Sequence, residues 1–158
     1  MFGLFKSPPF TDPALGELAW QRGFWHGQIL LSPGSSVPVF VSGTRKEPDA
    51  QAIHVARGLS SQFLSLKPRI ETALFEHYEP YAEAVASGEF SPQENLPKIS
   101  APAGVWPHVS LAYVSVSPLS GSLTTEFGYT VAWDEEHTLG ARFQDVKFVE
   151  LCGSVVPP

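Results

Sequence analysis

Cysteine is nearly missing from this sequence: Cys152 stands alone among 158 residues. One cysteine excludes an intrachain disulfide and any zinc site built on paired thiolates. Charge is scarce too, at 16% Asp, Glu, Lys and Arg, well under the ~25% of an ordinary domain. Set beside 43% hydrophobic residues, that scarcity argues against intrinsic disorder, which needs low hydrophobicity and high net charge. No apolar run approaches the ~20 residues that span a bilayer. The opening Met1–Pro9 has no basic lead-in and no sustained apolar stretch, so no signal peptide is expected. Long heptads are excluded by fifteen prolines and thirteen glycines. The expectation is a soluble, cytoplasmic, single domain over residues 1–158, large enough to bury its own core.

The familiar chemical motifs are absent as well. Gly43-Thr-Arg-Lys lacks the glycine-rich cradle that brings backbone N–H groups to a phosphate, and no G-x-G-x-x-G occurs. There is no H-E-x-x-H, G-x-S-x-G or C-x-x-C. Cys152, in the apolar run Val149-Glu-Leu-Cys-Gly153, reads as core rather than nucleophile. No cofactor is called for.

The charge that is present is unevenly placed. Residues 1–70 carry seven basic and four acidic side chains, whereas residues 71–158 carry three basic and twelve acidic ones. Six glutamates and no basic residue lie between Arg69 and Lys98. Nucleic acid is therefore a poor partner, because phosphate binding needs clustered Lys and Arg. A basic protein fits better, since a surface of one sign steers an opposite partner. The ordinary alternative is that these glutamates only solubilise a helix face.

Hydrophobic periodicity divides the chain into strands, helices and strands again. Strands are expected at 16–22, 24–31 and 37–42. A first helix follows from about Asp49 to Ser65, with Ala52, Ala56, Leu59, Phe63 and Leu66 on one stripe. Pro68 predicts a break, and a second helix then runs to about Ser87 on Ile70, Leu74, Tyr78, Tyr81 and Val85. Glu76, Glu79 and Glu83 fall on the opposite, solvent-facing side of that helix. A long loop is expected over 88–107, then four strands. The fold class is α+β: an antiparallel sheet packed against two consecutive central helices. The expected core includes Trp20, Trp25, Phe40, Leu59, Phe63, Leu74, Leu111, Tyr129, Val131, Trp133, Phe143 and Phe148.

The densest polar cluster is Trp133-Asp-Glu-Glu-His137, expected in the loop between two strands. Asp134, Glu136 and His137 are ligand types accepted by zinc, manganese or iron, and they also suit acid–base chemistry. A purely structural turn is the other reading, with Asp134 bonding local N–H groups and Trp133 filling the core. For a site, the three would have to converge with a residue such as His108 or His26. Should the protein instead bind a protein, the expected surface is Glu76, Glu79 and Glu83 with Trp106, an aromatic type enriched at binding hot spots. The opposing placement for Trp106 is in the core where the loop meets the strand.

Two segments carry a family resemblance. Phe10-Thr-Asp-Pro-Ala-Leu-Gly-Glu-Leu18 with Gly23-Phe-Trp-His-Gly27 looks like the opening of a family of small bacterial proteins of unknown function. Tyr129 to Phe143 resembles that family's W-D-x-E-H-x-L-G-x-x-F signature. The resemblance implies a cytoplasmic binding role of the immunity or toxin-associated kind, and it supplies no catalytic residues. Two functions stand at this point: a non-enzymatic, immunity-like protein that binds through its acidic surface, or a small metal-dependent or acid–base hydrolase using Asp134, Glu136 and His137.

Overall fold

The computed structural model describes residues 7–32, 34–89 and 96–158. Four strands open the chain: β1 (Phe10–Asp12), β2 (Gly16–Gln21), β3 (Phe24–Ser32) and β4 (Ser35–Val41). One long helix follows, α1 (Ala50–Ala86), and then a 3-10 helix over Pro102–His108. Four more strands close it: β5 (Val109–Leu119), β6 (Ser122–Val131), β7 (Asp134–Gln144) and β8 (Lys147–Val155). The α+β expectation is met by an eight-stranded sheet whose strands lie in chain order, with α1 packed on it.

The sheet is not wholly antiparallel as expected: β4 and β5 run parallel, with Val39 opposite Val114 and Val41 opposite Val116. A hairpin turn cannot join parallel neighbours, and a crossover is required. Here α1 is that crossover, so two antiparallel four-strand meanders meet at one parallel seam. Two-residue turns join strands inside each meander. Arg22-Gly23 and Ser120-Gly121 all have φ between 51 and 87°, the left-handed pair that matches the twist of a tight hairpin.

The two expected helices are one continuous helix of 37 residues, with Pro68 and Pro80 inside it. The buried stripe explains the continuity. Leu66 and Ile70 are four apart across Pro68, and both are buried, so the apolar register passes through the proline unchanged. Each proline removes one backbone hydrogen bond, to Leu64 and Glu76 respectively, and all four of these residues are exposed. The freed carbonyls therefore face solvent. An interior proline costs about 3 kcal/mol, whereas each large apolar side chain buried beside it returns about 1.5–3 kcal/mol. Ile70, Leu74 and Tyr78, all buried, outweigh the penalty.

The core lies between α1 and the sheet. Of the expected core residues, nine are buried, including Trp25, Trp133, Phe143 and Leu74. Trp20, Leu111 and Phe148 are half-buried and pack against it. Cys152 is half-buried in β8 rather than fully enclosed. The short strand β1, which periodicity does not reveal, is fixed by Asp12. Its Oδ2 accepts from the N–H groups of Ala14 (2.9 Å) and Leu15 (3.0 Å), closing the turn into β2. Its Oδ1 accepts from Arg57 Nε of α1 at 2.6 Å. Burial raises the Asp12 pKa, but Arg57 and the two N–H donors outweigh it and hold the carboxyl below its ordinary value.

Candidate functional site

The second half of α1 delivers three ring side chains to the β6–β7 connection. Trp133 is buried, and its indole Nε1 donates to His77 Nδ1 at 3.0 Å. That contact leaves the imidazole proton on Nε2. Tyr78 meets Trp133 edge-to-face at 5.4 Å. Its hydroxyl donates to the Pro97 carbonyl at 2.6 Å and accepts from Ile99 N–H at 3.1 Å, which ties the segment after α1 to the helix. Tyr81, one turn beyond His77, donates its hydroxyl to Asp134 Oδ2 at 3.0 Å.

Only Ala132-Trp133 forms the connection itself; Asp134–His137 open β7 rather than lying in the expected loop. The ladder jumps from Thr130 opposite Thr138 to Val131 opposite Asp134. Residues 135–137 consequently bulge out of the pairing and are exposed. The bulge folds His137 back on Asp134, with Nδ1 3.0 Å from both carboxylate oxygens. Burial raises the Asp134 pKa, but the bonds from His137 and Tyr81 prevail and lower it. Burial pushes the His77 pKa down, and Asp134 only partly opposes this. Burial together with the Asp134 hydrogen bond raises the Tyr81 pKa.

Of the three expected acid–base or metal residues, Asp134 and His137 therefore meet, and Glu136 does not join them as a third ligand. Among the described residues no group of three or more His, Cys, Asp and Glu side chains is placed to hold a metal ion. The residues that converge on the pair are Tyr81 and His77, not His108 or His26. His26 bonds the Gln21 carbonyl at 2.8 Å across the β2–β3 turn, and the His108 carbonyl accepts from Ala132 N–H at 2.9 Å. A carboxylate-oriented imidazole is a unit that general-base catalysis uses. Here it sits on an open bulge, with His137 45% exposed.

The acidic stripe lies on the same half of α1. Glu76, Glu79 and Glu83 are exposed, and among the described residues none of their carboxylates joins an ion pair or hydrogen bond. Glu136, from the bulge, lies near enough to Tyr81 to help raise its pKa. Glu71 differs, because its Oε2 accepts from Trp106 Nε1 at 2.6 Å.

Trp106 was expected in a long irregular loop; it lies in the 3-10 helix, and residues 90–95 of that loop fall outside the described ones. It is half-buried, tilted 6.3 Å from the Tyr129 ring and capped by Lys67 Nζ 4.4 Å from its own. It closes the core beside the first half of α1. His77 and Tyr81 were the residues that sequence reasoning left out of the site. Their four-residue spacing, the signal for one helical face, was available.

A family model described as a domain of unknown function, DUF6985, matches residues 14–155. The chain belongs to the DUF6985 family. No curated protein and no solved structure matches it. The match begins in the β1–β2 turn and ends with β8, so it takes in β2 to β4, the crossover helix and the whole second meander, with β1 just outside it. Among the described residues no helix is long and apolar enough to cross a membrane.

Proposed function

We propose that this DUF6985 domain is a non-enzymatic, immunity-like binding protein that takes a basic protein partner on the acidic half of α1. The observation that carries this reading is the set of three exposed carboxylates, Glu76, Glu79 and Glu83, that no described side chain neutralises. A folded domain gains nothing in stability from like charges left unpaired on one face, whereas such a face raises the association rate of an opposite partner. Trp106 lies outside this surface as a core-closing residue, and the Asp134–His137 contact braces the β7 bulge.

The Asp134–His137 contact is also the one feature favouring the hydrolase alternative, and one experiment separates the two. The protein is immobilised at low salt beside two variants, Glu76→Lys/Glu79→Lys/Glu83→Lys and His137→Ala, and challenged with an extract of its source cells. Under the binding reading, a basic protein is retained by the parent and by the His137 variant, lost from the triple variant, and released by salt. Equal retention by all three proteins removes the acidic face from the account. A hydrolytic activity that disappears with His137→Ala and survives the triple substitution would install the hydrolase.

A further inference from the structure

We propose that the cleft between the middle of α1, the end of the β3–β4 hairpin and the start of β5 binds a small monocarboxylic acid with a compact apolar body. This site is separate from the acidic half of α1 and does not rest on the partner-binding reading. The cleft holds about 160 Å³, and its apolar walls come from Val37, Phe63, Trp106 and Leu111 among others. At roughly 30 Å³ of liquid volume per water, that is about five waters' worth of space, which suits the apolar tail of a small acid whose carboxylate stays at the mouth and excludes most cofactors.

Beside the Ser32 and Ser35 hydroxyls in the lining, two polar groups set the ligand's chemistry. Lys67 is the one ionisable side chain in the lining apart from the Tyr129 phenol. Its ammonium rests over the rings of Trp106 (4.4 Å) and Phe63 (5.9 Å) and, among the described residues, forms no ion pair. Glu71, one turn along α1, does not line the cleft, and its carboxylate is engaged by Trp106 Nε1. The second feature is Tyr129, which also lines the cleft and is 2% exposed. Its hydroxyl is buried with no hydrogen-bond partner among the described residues. A buried hydroxyl left unmatched carries its full desolvation cost, and a ligand oxygen that reached it would relieve that cost.

A carboxylate meets both demands, pairing with the ammonium at the mouth while one oxygen turns toward the phenol. A phosphate is a poorer fit, since a doubly charged, strongly hydrated group finds one cation, two serines and otherwise mostly apolar walls. A neutral alcohol satisfies the phenol and leaves Lys67 unpaired.

The test is calorimetric titration of the full chain with hexanoate, octanoate and 3-phenylpropanoate, beside octanol and octylammonium. At least one acid is expected to saturate, binding tenfold or more tightly than octanol, while octylammonium does not bind. Lys67→Met, which keeps an apolar stem over Trp106, should erase the preference for acid over alcohol. Tyr129→Phe should weaken the acid several-fold and leave the thermal midpoint of the unliganded protein unchanged or raised. The Glu76→Lys/Glu79→Lys/Glu83→Lys variant should bind the acid as the parent does. Octylammonium binding as well as the acids would overturn the proposal, as would no saturation by any of the three acids. A lower midpoint for unliganded Tyr129→Phe would mean that a buried water or an alternative partner already serves the hydroxyl, and would likewise overturn it. A leucine-terminated peptide binding more tightly than every small acid would move the site to chain termini.

Discussion

Asp12 and the glutamates of α1 carry the same charge in opposite settings. Asp12 is buried at the end of β1, where Arg57 and two backbone N–H groups consume its oxygens. Glu76, Glu79 and Glu83 stand exposed on the other half of the helix with no partner among the described residues. Side-chain length and backbone position decide the difference. A short carboxylate at a strand end lies within reach of the next turn's N–H groups and becomes part of the fold. A longer one on the outer face of a helix can reach only solvent or another molecule. Asp134 is intermediate, partly buried and held by Tyr81 and His137.

Substitutions can break this division. Asp12→Ala should have the largest effect, about 2–4 kcal/mol by urea unfolding. It removes a charge-assisted bond worth about 1.5–3 kcal/mol as well as the turn contacts. The full penalty for a broken buried pair is not expected, because Arg57 is 45% exposed and can be hydrated once its partner is gone. Asp134→Ala should cost about 1–2 kcal/mol, the scale of losing two hydrogen bonds to a partly exposed carboxylate. Glu76→Gln, Glu79→Gln and Glu83→Gln together should change stability by less than about 0.5 kcal/mol, as surface substitutions do. A large loss in the triple variant, or none for Asp12→Ala, would merge the two classes.

Acid titration sharpens the same contrast. Asp12 and Asp134 have folded pKa values below their unfolded ones. Their stabilisation is complete above the unfolded value of about 3.9 and fades as pH falls through the folded values. Asp12→Asn should therefore flatten the acid limb of the stability profile. His77 gives a smaller effect at higher pH. Its folded pKa lies below the unfolded value of about 6.5, so the folded chain binds fewer protons and loses stability as pH drops below about 6.5. His77→Gln, whose side-chain oxygen can still accept from Trp133, should remove that slope in thermal melts recorded between pH 5 and 7.

Much of this was legible in the sequence. The stripe Ala52, Ala56, Leu59, Phe63 and Leu66 is buried as its spacing requires, and Glu76, Glu79 and Glu83 are exposed as theirs does. Periodicity records which face of an element is buried, so it succeeds wherever burial alone decides. It failed at Pro68 because a local penalty was read without the tertiary burial that offsets it. It could not show that β5 pairs with β4 in parallel, since that depends on where a crossover lands. The site was half legible for a related reason. Asp134 and His137 are neighbours in sequence, but Tyr81 and His77 reach the cluster from 53 and 56 residues away. Nothing in a local pattern encodes such contacts.

The acidic half of α1 is tested most directly by association kinetics. A basic protein retained at low salt would be mixed with the parent and with Glu76→Lys/Glu79→Lys/Glu83→Lys over a range of ionic strengths. Exposed charges are screened over about 8 Å at physiological salt. The parent's association rate should fall steeply as salt rises, while the variant should start slow and show little or reversed dependence, with an unchanged urea midpoint. The same rate and the same salt slope in both proteins would contradict the account and return the three glutamates to ordinary solubilising charge.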